Sequence, residues 1–303
     1  MKHIKGIYAA TLSILDVDLG LDCKSTIEHA ENTIDLGCHG VVFFGSTGQS
    51  QLISLREKIL LINQLPSSRH KDKFIIGTGL NSLGDTINMM KISKSIGFDK
   101  FLIMPPAYYK YGDEEVFNFY SRIIKEVKDC KIILYNFEKL SGYKFSHECI
   151  YKLVENFPNQ IVGVKDSSYN LFENLKIDNF SVMPGSESKL LKGLELGCSG
   201  IITATTNVTA SIARNVYDRF TKNLTQESNK KLCEIREVFE KYNLISGLHT
   251  FMSQKDDRFK NLLPPLKVLD SQDKIDLLTN LKNIKFEINQ LKAAWNVFGS
   301  LSK

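Results

Sequence analysis

A lysine at the end of a buried strand is the strongest chemical signal in this sequence. Lys165 follows the apolar run Ile-Val-Gly-Val at 161–164 and precedes polar residues at 166–168. Because burial disfavours the charged form of an amine, a lysine held at such a strand end is expected to supply the neutral amine that attacks carbonyl carbons. Lys165 is therefore a candidate Schiff-base nucleophile. The alternative is a lysine that has reached the loop and extends its ammonium group into water.

Two further groups of residues suit the chemistry of an imine. Forming and hydrolysing an imine needs a proton carrier beside the amine, and the hydroxyl of Tyr135, one predicted strand away, can serve. The turn Gly45-Ser46-Thr47-Gly48 offers hydroxyls and backbone N–H groups to a small carboxylate such as that of pyruvate. Alone, a tyrosine in a strand and a glycine turn after one are ordinary structure. Their positions at strand ends make them candidates.

Short apolar runs alternate with amphipathic stretches along most of the chain, a pattern typical of strand–helix units around a parallel sheet. Eight runs predict strands, at Gly6 to Leu12, Gly40 to Gly45, Phe74 to Gly79, Phe101 to Pro105, Ile132 to Asn136, Ile161 to Lys165, Phe180 to Gly185 and Gly200 to Thr205. The stretches between them predict helices, for example at Ser25 to Leu36, Ser54 to Leu65, Asp85 to Ile96 and Glu114 to Val127. Eight strands that take strict turns with helices are what a (βα)8 barrel requires.

Repeated helix ends support a closed barrel. The segments 36–42 and 196–202 both read Leu-Gly-Cys, one further residue, then a glycine that opens a buried strand. A doubly wound open sheet would favour a G-x-G-x-x-G motif after an early strand, and the sequence has none. We therefore predict an α/β fold, a barrel in which the carboxyl ends of the strands surround one pocket. Tyr108 and Tyr109 follow the fourth of these ends, and Gly185 and Glu187 mark the seventh.

The last third of the chain predicts helices only. Beyond Ser211 the strand signals stop, and helices are predicted at Glu227 to Tyr242 and Asp273 to Asn296. The chain is therefore divided into a barrel core at 1–210 and a segment at 211–303, which holds the last barrel helix and a C-terminal helical extension of the same structural unit. The expected role of this extension is packing and contact between subunits.

Composition and charge exclude several other classes of function. The 303 residues carry a net charge of +5, but the lysines are scattered, so nucleic-acid binding is not expected. No apolar run approaches the roughly 20 residues that span a bilayer, and the start lacks the core of a signal peptide, so no membrane association and a cytoplasmic location are expected. The six cysteines form no C-x-x-C pair and the six histidines no H-E-x-x-H motif, so no metal site is predicted.

Together these motifs resemble one family, the pyruvate-dependent class I aldolases and synthases that include N-acetylneuraminate lyase and dihydrodipicolinate synthase. The resemblance rests on Gly-Ser-Thr-Gly at 45–48, Tyr-Asn at 135–136, Gly-Val-Lys-Asp at 163–166, Gly185 and Gly-Ile-Ile at 200–202. It implies a TIM barrel that needs no cofactor, because the covalent imine forms on the protein's own lysine.

The same resemblance implies a role for each candidate residue. Lys165 would form the imine with the 2-oxo carbon of pyruvate or another 2-oxo acid, Tyr135 would be the acid/base group, and Ser46 and Thr47 would bind the carboxylate. Thr47 would also link Tyr135 to a tyrosine from a neighbouring subunit, Tyr108 by loop alignment with Tyr109 as the fallback. Further substrate contacts are expected from Gly185, Glu187, Ser141 and the backbone carbonyl of Ile202. The family implies a homo-oligomer, a homotetramer built as a dimer of dimers.

Departures from the family pattern narrow the expected substrate. Dihydrodipicolinate synthases carry a proline and then a carboxylate-binding arginine after the Tyr-Asn pair, where this chain has Glu138 and Leu140. A leucine cannot pair with a carboxylate, and the side chain of Lys139 should point elsewhere. Gln49 stands where many members carry glutamate, and Ala204 where the lyases offer a serine, which argues against sialic acid itself. The expected reaction is cleavage or formation of a 2-keto-3-deoxy sugar acid, as in neuraminate lyases or 2-keto-3-deoxygluconate aldolases.

Other functions stay open at this point. A 4-hydroxy-tetrahydrodipicolinate synthase, which joins pyruvate to aspartate semialdehyde, is disfavoured by Leu140. A sugar-acid dehydratase of the same family would use the same lysine and release water, a carbon–oxygen lyase reaction. A class II aldolase would need a cluster of histidine and acidic metal ligands, which the sequence does not show. A non-catalytic barrel is the remaining alternative, since fold does not determine function.

Overall fold

Eight parallel strands form the centre of the structure, a computed structural model that describes residues 4–288. They are β1 Gly6–Ala10, β2 Gly40–Phe43, β3 Phe74–Gly77, β4 Lys100–Ile103, β5 Lys131–Asn136, β6 Ile161–Asp166, β7 Ser181–Pro184 and β8 Gly200–Thr203. Neighbours in sequence pair from β1 to β7, and β1 also pairs with β8. Ser199, just before β8, donates to the carbonyl of Val182 in β7 (2.9 Å), which joins the two edges of the sheet. The predicted TIM barrel is therefore confirmed.

Helices surround the barrel and continue beyond it. Those between or after strands are α1 Cys23–Asp35, α2 Leu55–Gln64, α3 Leu83–Ser95, α4 Asp113–Glu126, the short α5 Glu138–Ser141, α6 His147–Asn156, α7 Leu190–Glu195 and α8 Thr206–Thr221. The C-terminal extension contains α9 Asn229–Glu240, α10 Leu244–Met252 and α11 Ser271–Asn283. Several of these helices begin at a capping residue. Asp22 caps α1, and Ser54 forms a capping box with Glu57 at α2.

Successive side chains of each strand point alternately to the two faces of the barrel wall. One face forms a buried interior cluster that includes Tyr135 together with Ile4, Val42, Ile75, Leu102, Ile133, Met183 and Ile202. Residues beside them, such as Leu134 and Val164, pack in the larger cluster with the helices. Lys165 follows Val164 and lies opposite Tyr135 in the register of β5 and β6. The fold therefore places the lysine and the tyrosine on the interior face of neighbouring strands.

The predicted strict alternation of strands and helices fails once. Residues 167–180, all of them described, connect β6 to β7 through turns and contain no α-helix. The backbone N–H groups of Leu171 and Phe172 instead donate to the carboxylate of Asp166 (both 2.9 Å). A side chain at the end of β6 thus satisfies backbone groups that a helix would have paired internally.

Several predicted boundaries also differ. Most strands end one or two residues earlier than predicted, because residues such as Gly45 and Gly79 already turn into the loops. The predicted division at residue 210 falls inside α8, which begins at Thr206. The predicted helix at Glu227 to Tyr242 corresponds to α9. The one at Asp273 to Asn296 corresponds to α11, which ends at Asn283, and its part at 289–296 lies outside the described residues.

Candidate active site

Lys165 and Tyr135 lie side by side at the carboxyl ends of β6 and β5. Lys165 Nζ is 4.2 Å from the centre of the Tyr135 ring. The two residues are only 3% and 4% exposed, so the alternative of a lysine that extends into water is wrong. An amine in contact with a phenol, both shielded from bulk water, is a combination that can form an imine and move protons around it.

The glycine turn after β2 brings a hydroxyl to this pair. Ser46–Gly48 forms a single turn of 3-10 helix, and Ser46 Oγ lies 3.0 Å from the phenol oxygen of Tyr135. Ser46 is thus the residue of this turn whose hydroxyl meets the phenol, and the predicted link from Thr47 to Tyr135 stays a prediction. Thr47 is itself buried, next to Ser46. Gly48 packs so closely that a Cβ there would meet the carbonyl oxygen of Thr11 at 2.8 Å.

Gly185 follows the end of β7, and Ile202 lies in β8. The N–H of Gly185 donates to the carbonyl of Asp166 (2.9 Å), the residue after Lys165. A Cβ on Gly185 would fall 2.2 Å from Ser167 Oγ and 3.1 Å from its Cβ, so that Ser167 would have to shift to admit a side chain there. Ile202 belongs to the interior cluster with Tyr135. Their contacts with substrate stay predictions.

Glu187 forms a buried ion pair with the C-terminal extension. It is completely buried, and its Oε2 accepts hydrogen bonds from Arg236 Nη1 (3.0 Å) and Thr203 Oγ1 (2.8 Å). Arg236 comes from α9 and also donates to Thr205 Oγ1 (3.1 Å). An ion pair to the C-terminal extension thus occupies Oε2 of this carboxylate, whereas its buried Oε1 has no hydrogen-bond partner among the described residues. The predicted contact of Glu187 with substrate stays a prediction.

Arg236 is a residue that sequence reasoning missed. Burial lowers the pKa of its guanidinium, but the carboxylates of Glu187 and Glu240 outweigh that effect and leave the pKa above its ordinary value. Arg236 sits in a helix rich in charged residues, which is usually a solvated face. The one sequence signal for the burial of Arg236 is its position between the apolar residues Ile235 and Val238.

Ser141 makes local hydrogen bonds to the backbone. It ends α5, and its hydroxyl donates to the backbone carbonyls of Tyr143 (2.9 Å) and Phe137 (3.2 Å) and accepts from the N–H of Tyr143 (3.2 Å). The hydroxyl thus stabilises the turn after α5 and the predicted substrate contact through it is not supported. Leu140, beside it, is 43% exposed.

A small cavity adjoins the hydroxyls of Ser46 and Tyr135. It has a volume of about 130 Å³ and is lined by Phe44, Gly45, Ser46, Ser50, Gln51, Gly79, Leu102, Met104, Ala107, Tyr135 and Leu140. Most of this lining is apolar and none of it is charged. A larger cavity of about 490 Å³ lies at the opposite end of the barrel, beside the start of β5 and β6, and contains none of the candidate residues.

Tyr108 and Tyr109 project from the loop after β4. They are 90% and 73% exposed, and their rings contact each other edge to face at 5.1 Å. Tyr108 has a backbone φ of 89°, in the region that disfavours a bulky residue. Neither lines the cavity beside Tyr135 in its own chain. The loop therefore presents two aromatic rings away from the site that it borders.

Lys58 is a second buried amine, which the sequence did not indicate. It lies in α2, and its Nζ donates to the carbonyls of Thr78 (3.0 Å) and Gly79 (3.3 Å). Burial lowers its pKa to about 8. Lys58 follows Arg56 and Glu57, and such a charged run is typical of a solvated helix face. Lys58 holds the end of β3 and with it one wall of the cavity.

Within residues 4–288, no group of three or more histidine, cysteine or acidic residues is arranged to bind a metal ion. In the same part of the chain, no helix has both the length and the apolar character needed to cross a bilayer.

Comparisons with known proteins agree with the fold and identify the family of the chain. The sequence matches the model of the Dihydrodipicolinate synthetase family over residues 3–284. An uncharacterized DapA-like lyase of Chloroflexus aurantiacus is 30% identical over 228 residues, which are 73% of this chain and 76% of that protein. A 4-hydroxy-tetrahydrodipicolinate synthase of Listeria monocytogenes is 32% identical over 214 residues, 68% of this chain and 72% of that enzyme.

Solved structures show the same fold. The 4-hydroxy-tetrahydrodipicolinate synthase of Methylacidiphilum fumariolicum has a TM-score of 0.86 at 24% identity and covers 96% of this chain and 99% of its own. YagE from E. coli K12, a prophage protein of the dihydrodipicolinic acid synthase family crystallised with pyruvate, has a TM-score of 0.84 at 22% identity, with 93% and 99% coverage. The family model spans nearly the whole barrel and its extension, and so the chain belongs to the dihydrodipicolinate synthetase family.

Proposed function

We propose that this protein is a cytoplasmic Schiff-base-forming lyase that cleaves a 2-keto-3-deoxy sugar acid into pyruvate and an aldehyde, or joins the two, without an added cofactor. One observation carries the proposal: a buried amine at the end of β6 contacts the ring of Tyr135, whose hydroxyl lies 3.0 Å from Ser46 Oγ. The pyruvate bound to the related YagE structure supports the choice of the 2-oxo acid.

The proposed chemistry begins at Lys165 Nζ. The neutral amine attacks the 2-oxo carbon, and loss of water from the carbinolamine gives the imine. Tyr135 carries the proton that water needs in order to leave. It then accepts the proton of the C4 hydroxyl as the C3–C4 bond breaks, which releases the aldehyde and leaves the enamine of pyruvate. Protonation at C3 and hydrolysis return pyruvate and the free amine. Ser46 and Thr47 hold the carboxylate in this proposal.

The second candidate is a 4-hydroxy-tetrahydrodipicolinate synthase, which the Listeria relative favours. Against it stands Leu140, an apolar residue that lines the cavity where a carboxylate-bearing aldehyde would need a cation. A cation nearby, Lys144, pairs with Glu138 (3.3 Å). Turnover with aspartate semialdehyde, compared with a panel of hydroxylated aldehydes, distinguishes the two candidates. Rapid turnover of aspartate semialdehyde would overturn the sugar-acid assignment.

The proposed enzyme is a homo-oligomer in which Tyr108 of one subunit completes the site of another. A 90% exposed tyrosine with a positive φ is unfavourable in an isolated chain, so a partner that buries it would offset the cost. The apolar cavity beside Ser46 and Tyr135 is a place that an aromatic ring could fill. A tetramer made of two such dimers is the proposed assembly, with Tyr109 as the alternative contributor.

Borohydride trapping tests the central step. The protein is incubated with pyruvate and borohydride, and its mass is measured before and after tryptic digestion. We expect one pyruvate-derived adduct per chain on the peptide that contains Lys165, and none in the Lys165→Ala variant. No adduct on the wild-type protein, or an adduct that persists in the variant, refutes the proposal.

Mixed oligomers test the shared site. Lys165→Ala and Tyr108→Ala are each expected to be impaired, but co-expression places an intact Tyr108 beside an intact Lys165 in roughly a quarter of the sites. Recovery of activity in the mixture, with none in either parent, is the expected result. If the mixture is no more active than its parents while size measurements show dimers, each chain completes its own site.

A further inference from the structure

The residues that follow Tyr135 and Lys165 form a buried polar pair of their own. Asn136 and Asp166 lie opposite each other at the ends of β5 and β6, one step beyond the tyrosine and the lysine in the same register. Both are completely buried, and Asn136 Nδ2 donates to Asp166 Oδ1 (2.8 Å). β5 and β6 thus carry the candidate catalytic pair and, at the next position of each strand, a hydrogen-bonded pair.

The carboxylate of Asp166 is saturated with hydrogen bonds. Its two oxygens accept four, at 2.8–2.9 Å, from Asn136 Nδ2 and from the backbone N–H groups of Tyr169, Leu171 and Phe172. No lysine or arginine is among these partners, all of which are described residues. Burial raises the pKa of this carboxyl above its ordinary value, although the hydrogen bonds oppose the shift. The protein therefore keeps a carboxyl group in an unfavourable place to organise the connection from β6 to β7.

Asn136 makes equally full use of its amide. Besides Asp166, its Nδ2 donates to Asn170 Oδ1 (2.8 Å), and its Oδ1 accepts from the N–H of Phe145 (3.1 Å). Asn170 in turn donates to the carbonyl of Phe145 (3.0 Å). The amide therefore connects β5, the segment before α6 and the helix-free loop after β6.

The hydrogen bonds of Asn136 and Asp166 affect the neighbouring candidate catalytic residues through the geometry of the strands. Successive side chains of a strand point to opposite faces, so fixing Asn136 and Asp166 outside the barrel fixes the inward direction of Tyr135 and Lys165. A displacement of about 1 Å between reacting groups can lower a rate by roughly 100-fold. Asn136 and Asp166 directly follow the two candidate catalytic groups, and the hydrogen bond between their side chains joins the two strands at that point.

We propose that Asn136 and Asp166 are positioning residues that set the phenol of Tyr135 against the amine of Lys165. They touch neither the substrate nor the reacting atoms. The inference rests on the proposed Schiff-base function and adds to it the part of the structure that holds the two groups in reach of each other.

Exchange of the methyl protons of pyruvate in D2O measures this positioning without a known aldehyde. Imine formation allows a C3 proton to leave, and the enamine takes a deuteron from solvent at C3, so the methyl signal in the proton NMR spectrum decays. Asp166→Asn cannot accept from all four donors, and we expect its rate at saturating pyruvate to fall by roughly 100-fold. The half-saturating pyruvate concentration should stay within about threefold of the wild type, because binding contacts are kept.

Asn136→Ala is the milder variant, since it leaves the carboxylate its three backbone donors and is expected to fold. Its rate should fall by roughly tenfold. The matched control is Asn207→Ala, which removes another buried asparagine that bonds Ala10, Leu12 and Ala204 beside β1 and β8. This control should lower stability without changing the exchange rate.

The outcomes separate the two proposals. A wild-type protein that neither traps nor exchanges pyruvate overturns the Schiff-base function, and the positioning role with it. A wild-type protein that does both, with Asn136→Ala exchanging at the wild-type rate or no slower than Asn207→Ala, overturns the positioning role alone. If Asp166→Asn does not fold, Asn136→Ala decides the question.

Discussion

Breaking the buried ion pair between Arg236 and Glu187 should cost far more stability than breaking an exposed salt bridge. Arg236→Met keeps most of the apolar stem but removes the guanidinium that contacts Glu187 (3.0 Å) and two threonine hydroxyls. Glu187 is then a completely buried carboxylate without a cation. We expect a loss of about 3–5 kcal/mol in the free energy of unfolding. That is a large part of the about 5–15 kcal/mol that keeps a typical domain folded.

Urea unfolding followed by circular dichroism at pH 7.5 measures this loss. The matched control is Arg214→Met, whose guanidinium pairs with Asp218 at 40% and 38% side-chain exposure, so its loss should stay below about 1 kcal/mol. Adding Glu187→Gln to Arg236→Met removes the buried charge and should restore about 1–3 kcal/mol. Equal losses for Arg236→Met and Arg214→Met would refute the claim that burial makes the first pair costly to break.

Three further changes have defined outcomes. Burial lowers the pKa of both His29 and His249 to about 4, so the stability that their neutral forms provide is complete above pH 6.5 and is lost as the pH falls toward 4. At pH 5 each histidine should lower the free energy of unfolding by about 2 kcal/mol. A urea midpoint that does not change between pH 7.5 and 5 would contradict this. Gly185→Ala should disrupt the loop against Ser167 and weaken pyruvate trapping, whereas normal trapping would show that the loop can yield. Ser46→Ala should slow methyl-proton exchange by on the order of 100-fold; a rate within a factor of two would remove its hydroxyl from the proton path.

The sequence predicted the parts of this protein that depend on local pattern. Eight apolar runs and their glycine boundaries were enough to predict the barrel, since each strand and helix forms from neighbouring residues. Lys165 and Tyr135 were found for the same reason, because both stand where a buried run ends. The shared position of strand ends in a barrel then placed them together.

The residues that the sequence missed depend on contacts between distant segments. Arg236 and Lys58 stand in charged helical runs, and only the packing of those helices against the barrel shows that both are buried. The choice between Ser46 and Thr47 as the neighbour of Tyr135 depends on the rotation of a single helical turn. The periodicity of apolar residues in the sequence does not predict that rotation.

The two halves of the proposed reaction rest on parts of the fold that differ in rigidity. Lys165 and Tyr135 lie on paired central strands whose ends are joined by the Asn136–Asp166 network, so the groups proposed to act on pyruvate are fixed by many buried hydrogen bonds. The aldehyde would meet the short helix that carries Leu140, an exposed segment, and loops accept substitution more readily than strands. A change in these loops can therefore alter the aldehyde while leaving the imine chemistry intact.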